Sequence, residues 1–193
     1  METPIDDALF ADLPSKKYTV IYADPPWQYD DPANAGHRGA KWKYPVVGHE
    51  DIARLPVQDI ADDDAALFMW ATYPKIKEAL EVMGAWGFTY KTVAFTWVKR
   101  NKISDSLFWG MGRWTRANAE VVLLGTRGKP RRVDAGVHQV IEAPVQGHSV
   151  KPDEARQRIV RLLGDVPRIE LFARQAPAGW DVWGNQAPEG QND

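Results

Sequence analysis

An α/β fold, a sheet with helices on both faces, is what the sequence predicts, and three observations predict it. Short runs of unbroken apolar residues recur along the chain, helical periodicity lies between them, and 193 residues leave room for one such core and not two. The runs are YTVIYA at 18–23, AALFMWA at 65–71, KTVAFTWV at 91–98, EVVLLGT at 120–126 and RIELFA at 168–173. Continuous apolarity, as opposed to strict alternation, marks strands covered on both faces.

Two helices follow from their periodicity and their ends. In TYPKIKEALEVMGAWG, Thr72 is placed to cap, Ile76, Ala79, Leu80 and Met83 fall on one stripe, and Gly84 or Gly87 stops the helix. In SVKPDEARQRIVRLLG, Ser149 and Lys151-Pro152 mark a start, acids fill the first turn, Ile159, Leu162 and Leu163 face inward, and Gly164 ends it. A shorter helix is expected over HEDIARL, 49–55. Stretches 28–48, 100–118 and 127–148 lack periodicity, and loops of that length inside a compact domain are usually functional or disordered. With no repeat or linker, residues 1–193 read as a single domain.

Composition narrows the function. Forty-four per cent hydrophobic and 26% charged residues suit a globular protein, and no run approaches the roughly 18 apolar residues of a membrane span. The acidic beginning METPIDDALF lacks a basic start and hydrophobic run, so a cytoplasmic protein is expected. The absence of cysteine excludes a disulfide framework, a thiol nucleophile and a thiolate zinc site. His37, His49, His138 and His148 have no ligand spacing, so no metal is expected. A net charge of -2 argues against indiscriminate coating of nucleic acid, yet residues 99–132 hold nine basic side chains against Asp105 and Glu120. Of nine tryptophans, Trp27, Trp42, Trp109 and Trp114 sit among Gly, Lys and Arg, where a ring beside cations suits base stacking. There is no G-x-G-x-x-G after a strand, and GTRGKP at 125–130 is too short for a phosphate-binding loop.

The segment that carries chemistry is ADPPW, 23–27, at the end of the first strand. Ligands of open α/β sheets bind outside the carboxyl ends of their strands. Asp24 places a carboxylate there, and Pro25 and Pro26 fix two backbone angles while offering carbonyls and no N–H. A carboxylate oxygen and a carbonyl can receive both hydrogens of an exocyclic amine, and Trp27 offers a flat face for its ring. Adenine N6 fits that set. An Asp-Pro turn with a packing tryptophan fits it too.

DPPW at 24–27 resembles the signature of the DPPW-type adenine-N6 methyltransferases, the family of the catalytic subunit of the eukaryotic messenger-RNA adenosine methyltransferase and of many bacterial and phage proteins. FMWAT at 68–72, NAEVVLLGTRGKP at 118–130, HSVKPDE at 148–154, RIELFAR at 168–174 and WDVWGNQ at 180–186 match in order, across nearly the whole chain. The resemblance implies a Rossmann-like S-adenosylmethionine-dependent methyltransferase sheet in circularly permuted order, with the catalytic motif before the cofactor motif. It implies catalysis by Asp24, Pro25, Pro26 and Trp27, and a cofactor held by Asp24, Lys151, Glu170, Phe172, Arg174, Asn185 and Gln186. Substrate contacts would come from Trp27, Tyr44, Trp70 and Arg127. Glu170, an acid in an apolar strand, could instead serve a local structural partner.

The implied reaction is methylation of adenine N6 in nucleic acid, in DNA ahead of RNA. A second protomer or partner subunit would add to target recognition. Two rivals are methylation of a protein glutamine amide, which related enzymes perform from an Asn-Pro-Pro turn, and a non-catalytic nucleic-acid-binding subunit. Asp24 and the basic loops weigh against the first, and intact DPPW and GNQ against the second.

Overall fold

The structure, a computed structural model, describes residues 13–28, 48–112, 114–147 and 150–184. Its strands are β1 (Tyr18–Ala23), β2 (Ala61–Ala71), β3 (Thr89–Arg100), β4 (Glu120–Arg127), β5 (Val140–Pro144), β6 (Arg168–Leu171) and β7 (Asp181–Trp183). Helices α1 (His49–Ala53), α2 (Val57–Ile60), α3 (Ile76–Ala85) and α4 (Glu154–Leu163) lie between them. The strands form one sheet in the order β5-β3-β4-β2-β1-β6-β7. Every pairing is parallel except those of β4, which runs against both β2 and β3. Six strands therefore end at one edge of the sheet, and β4 begins there.

Alternation along the central strands builds two cores. Ile21, Ala23, Leu67, Met69 and Leu123 pack under α1, α2 and α3, whereas Val20, Tyr22, Phe68, Trp70 and Val122 pack under α4. β1 and β2 are thus buried on both sides, as their unbroken apolarity predicts. Among the described residues no helix is long and apolar enough to cross a membrane.

Several expectations shift in detail. β2 begins at Ala61, four residues early, because Asp62, Asp63 and Asp64 stay exposed while their backbone continues the strand. β5 and β7 were not expected: β5 is a sheet-edge strand with three of five residues exposed or nearly so, and β7 has only three residues, so neither carries an apolar run. The buried stripe of α3 is Ala79, Val82 and Met83, with Leu80 outward, and the helix ends at Ala85, with Trp86 and Gly87 forming the turn. α4 starts at Glu154, after Pro152, and this leaves Lys151 outside the helix, in the stretch that leads into it. Gly164 ends α4 as expected.

Candidate active site

At the edge where β1 ends, four charged side chains from four separate parts of the chain meet. Lys151 Nζ lies 3.1 Å from Asp24 Oδ1 and 3.3 Å from Glu120 Oε2. Lys99 Nζ lies 2.5 Å from Glu120 Oε1. The order Lys99, Glu120, Lys151, Asp24 alternates in sign and ends on a carboxylate whose side chain is 17% exposed. Burial of this kind is tolerated only when the charges are paired. Two tryptophan faces complete the support: the Lys151 ammonium stands 5.5 Å above the Trp70 ring, and that of Lys99 5.0 Å above Trp97.

The strands dictate this meeting. Ala23 pairs with Met69 and Leu171, so Asp24 emerges beside the ends of β2 and β6. The Asp24 N–H donates to the Leu171 carbonyl at 3.4 Å. Glu120 heads β4 at the same edge because β4 is reversed, and it pairs with Trp97 of β3. Asn118 locks the approach: its side-chain oxygen accepts from the Lys99 N–H at 3.2 Å, and its amide donates to the Lys99 carbonyl at 2.9 Å and to that of Phe108.

The charges are tuned against each other. Burial pushes the Asp24 carboxyl above its ordinary value, the charge of Glu120 adds to the rise, and Lys151 works in the opposite direction without cancelling it. Burial also acts to raise Glu120, but Lys151 and Lys99 outweigh it and hold that carboxyl low. For Lys151, burial disfavours the ammonium and the two carboxylates more than restore it, so it stays protonated well into the alkaline range. The result is a permanent cation beside a carboxylate that binds protons more readily than an ordinary aspartate.

The turn after β6 abuts Asp24. Phe172, at φ 60°, is the one non-glycine residue at positive φ among the described residues, a conformation that costs of order 1–3 kcal/mol and tends to be retained where function needs it. Gly184 lies against it, and a Cβ there would come 2.8 Å from the Phe172 Cα. Only a glycine lets the two turns close, with the Ala173 N–H donating to the Trp183 carbonyl at 3.0 Å. The donors around this cradle suit S-adenosylmethionine: the cations of Lys151 and Arg174 match its carboxylate, and Arg174 also acts on the charge of Asp24.

Four expected residues take other roles. Trp27 is only 6% exposed, and its Nε1 donates to the Trp70 carbonyl at 3.0 Å, so its ring is chiefly core. It still borders a polar recess of about 120 Å³ with Gln28, His49, Lys75 and Glu78. Trp70, 1% exposed, lies beneath Lys151 with its Nε1 donating to the Tyr22 hydroxyl at 2.5 Å, and its ring has no face for a substrate. Glu170 is clasped by Arg156 of α4 through Nε to Oε2 at 2.6 Å and Nη2 to Oε1 at 2.9 Å, which is the structural partnership left open above. Arg127 pairs with Ala65 at the opposite edge of the sheet and donates to the Gln58 carbonyl at 2.8 Å. Six residues of β2 separate it from the catalytic edge, roughly 20 Å at strand rise, because the antiparallel β4 carries GTRGKP away from the site and NAE toward it. Tyr44, Asn185 and Gln186 lie outside the described residues.

Glu120, Lys99 and Asn118 were missed as site residues. The signal available was an acid and an amide immediately before an apolar strand, opposite a lysine ending another. Among the described residues no group of three or more His, Cys, Asp or Glu could hold a metal ion. A separate open groove of about 690 Å³ runs along α4 past Gln157, Arg168 and Trp180, lined by none of the four charges at the catalytic edge.

Comparison with known proteins adds to this geometry. The MT-A70 family profile matches residues 18–186. The Type II methyltransferase M.MunI from Mycoplasma sp is 37% identical over 205 residues, covering 96% of this chain and 84% of that protein. The N(6)-adenosine-methyltransferase catalytic subunit METTL3 from Homo sapiens is 30% identical over 88% of this chain, which spans only 28% of METTL3. An MT-A70-like N(6)-adenosine-methyltransferase from Arabidopsis thaliana is 31% identical over a similar share.

Proposed function

The chain belongs to the MT-A70 family, and from that membership we propose that it methylates the N6 amine of adenine in nucleic acid, with Asp24 receiving the amine. The observation that carries this reading is the partly exposed Asp24 carboxylate held by Lys151 beside the strained Phe172 turn. DNA is the proposed polymer, since the bacterial Type II relative is matched over most of its length and METTL3 over a minor part. Target recognition draws on the edge loops and on a second protomer or partner subunit.

S-adenosylmethionine, when bound, supplies a methyl group activated by a sulfonium. Lys151, Phe172 and Arg174 would hold it, with Asn185 and Gln186 from the adjoining segment. β1 with its DPPW lies between β2 and β6 in the sheet, and this neighbourhood supports a circularly permuted methyltransferase order in which the cofactor half follows the catalytic half.

Adenine N6 is a weak nucleophile because its lone pair is shared with the ring. Asp24 accepts one amine hydrogen and favours the pyramidal nitrogen that reaction requires. The Pro25 carbonyl already accepts the Trp27 N–H at 2.9 Å, which fixes its direction and leaves a second lone pair for the other hydrogen. Positioning of this type is worth about 7–11 kcal/mol. The proton that N6 must shed goes to Asp24, whose raised pKa suits it to accept, while Lys151 keeps the carboxylate charged beforehand. Trp27 steadies this turn from below.

The test is incubation with methyl-labelled S-adenosylmethionine and single-stranded and duplex DNA and RNA, followed by digestion to nucleosides. N6-methyladenine is the expected product, from DNA above RNA. Label in protein or in no polymer would overturn the reading.

A further inference from the structure

The loop joining β3 to β4, residues 101–119, leaves the sheet at the catalytic edge and holds large apolar side chains out in solvent. Met111 is 91% and Trp114 96% exposed, and Trp109 54%. Scattered apolar residues need no explanation, but a cluster on one segment does. Nor is the segment an unstructured linker. The Gly110 N–H donates to the Ala117 carbonyl at 2.6 Å, and Arg116 reaches back to the Gly110 and Trp109 carbonyls at 2.9 and 3.1 Å. A Cβ at Gly112 would fall 1.8 Å from the Thr115 carbonyl oxygen, so the tip is folded tightly on itself. The chain thus shapes this loop without using its tip to cover the core.

The footing of the loop is the catalytic cluster. Lys99 and Glu120, one residue beyond the loop or close to it on each side, grip each other, and Glu120 also contacts the Lys151 that meets Asp24. Lys102 and Arg116 give it a positive bias against Asp105, whose carboxylate is taken by Arg100. That charge suits a polyanion, and an apolar tip between cations suits insertion among stacked bases.

Resting on the adenine-N6 reading, we propose that Trp109, Met111 and Trp114 form a wedge that enters the base stack of a DNA duplex and fills the place of the adenine turned out toward Asp24. A base paired in a duplex cannot present N6 at the sheet edge without leaving its stack. Single-stranded DNA has no such gap to fill, so the wedge matters for duplex substrate alone.

The experiment replaces all three residues (Trp109→Ala, Met111→Ala, Trp114→Ala) and measures kcat/KM on a duplex pool rich in adenine contexts and on its separated strands, together with sedimentation of both proteins. The expected result is a duplex loss on the order of a hundredfold with single-strand activity within about threefold, and Trp114→Phe close to wild type. Equal losses on both substrates, or none, would overturn the wedge. So would a dimer turned monomer with parallel losses, which would make the tip a subunit contact. Wild-type protein inert on every polymer would sink the adenine-N6 reading and the wedge with it, and that outcome is visible without the variant.

Discussion

Two buried charge clusters flank the end of β1, and they differ in how their carboxylates are held. On the α4 side the Arg156 fork takes both oxygens of Glu170 and also bonds Asp153. At the catalytic edge the Lys151 ammonium, shared with Glu120, meets Asp24 at Oδ1. A planar guanidinium saturates its partner and fixes it, whereas a point charge neutralises a carboxylate and leaves it able to accept further hydrogens. Glu170 is therefore closed by its partner, and Asp24 is the group proposed for the chemistry, although one acid lies within an apolar strand and the other just after one.

The largest effect that separates the clusters is expected from Asp24→Asn. Methyl transfer should fall on the order of a thousandfold, the range of a lost acid–base group, while the melting temperature holds or rises. The sign follows from the raised carboxyl: the native state keeps its proton where the unfolded chain has released it, so the stability given by neutral Asp24 is full below the ordinary 3.8 and fades as pH rises through the folded value. An uncharged side chain there costs the fold little. Paired measurements of labelled methyl incorporation and thermal melting check this, and a variant that neither melts normally nor transfers methyl would place Asp24 with the scaffold.

Glu170→Gln should show the converse. Replacing the carboxylate weakens the buried fork and leaves Arg156 with Asp153 as its remaining charged partner, so a lower denaturant midpoint is expected. S-adenosylmethionine affinity, measured on the folded fraction, should change by less than about threefold. A large affinity loss with normal stability would return Glu170 to the cofactor site.

Much of the fold was legible because burial leaves a period in the sequence: β1, the buried half of β2, β4, α3 and the body of α4 all carry it. Where burial is one-sided or brief, as in β5 and β7, no period exists to read. Strand direction is equally silent. Nothing in EVVLLGT says that it runs against its neighbours, and that single reversal brings Glu120 to Asp24 and carries Arg127 to the far edge. DPPW and Lys151 were legible as motif residues. The packing of Trp27 and Trp70 was not, because a tryptophan in a motif has the same sequence signature whether its ring is buried in the core or open to a base.

The central claim is that Lys151 and Glu120 set the charge of Asp24 from opposite sides, and the pH dependence of single-turnover methylation by Lys151→Met and Glu120→Gln tests it most directly. Wild-type activity should fall on the acid side at a pH above the ordinary aspartate value of 3.8. Loss of the Lys151 cation should move that limb to higher pH, and loss of the Glu120 anion should move it to lower pH, each by about one unit for every 1.4 kcal/mol of interaction removed. Limbs that coincide in all three proteins, or that shift in the same direction, would contradict the account.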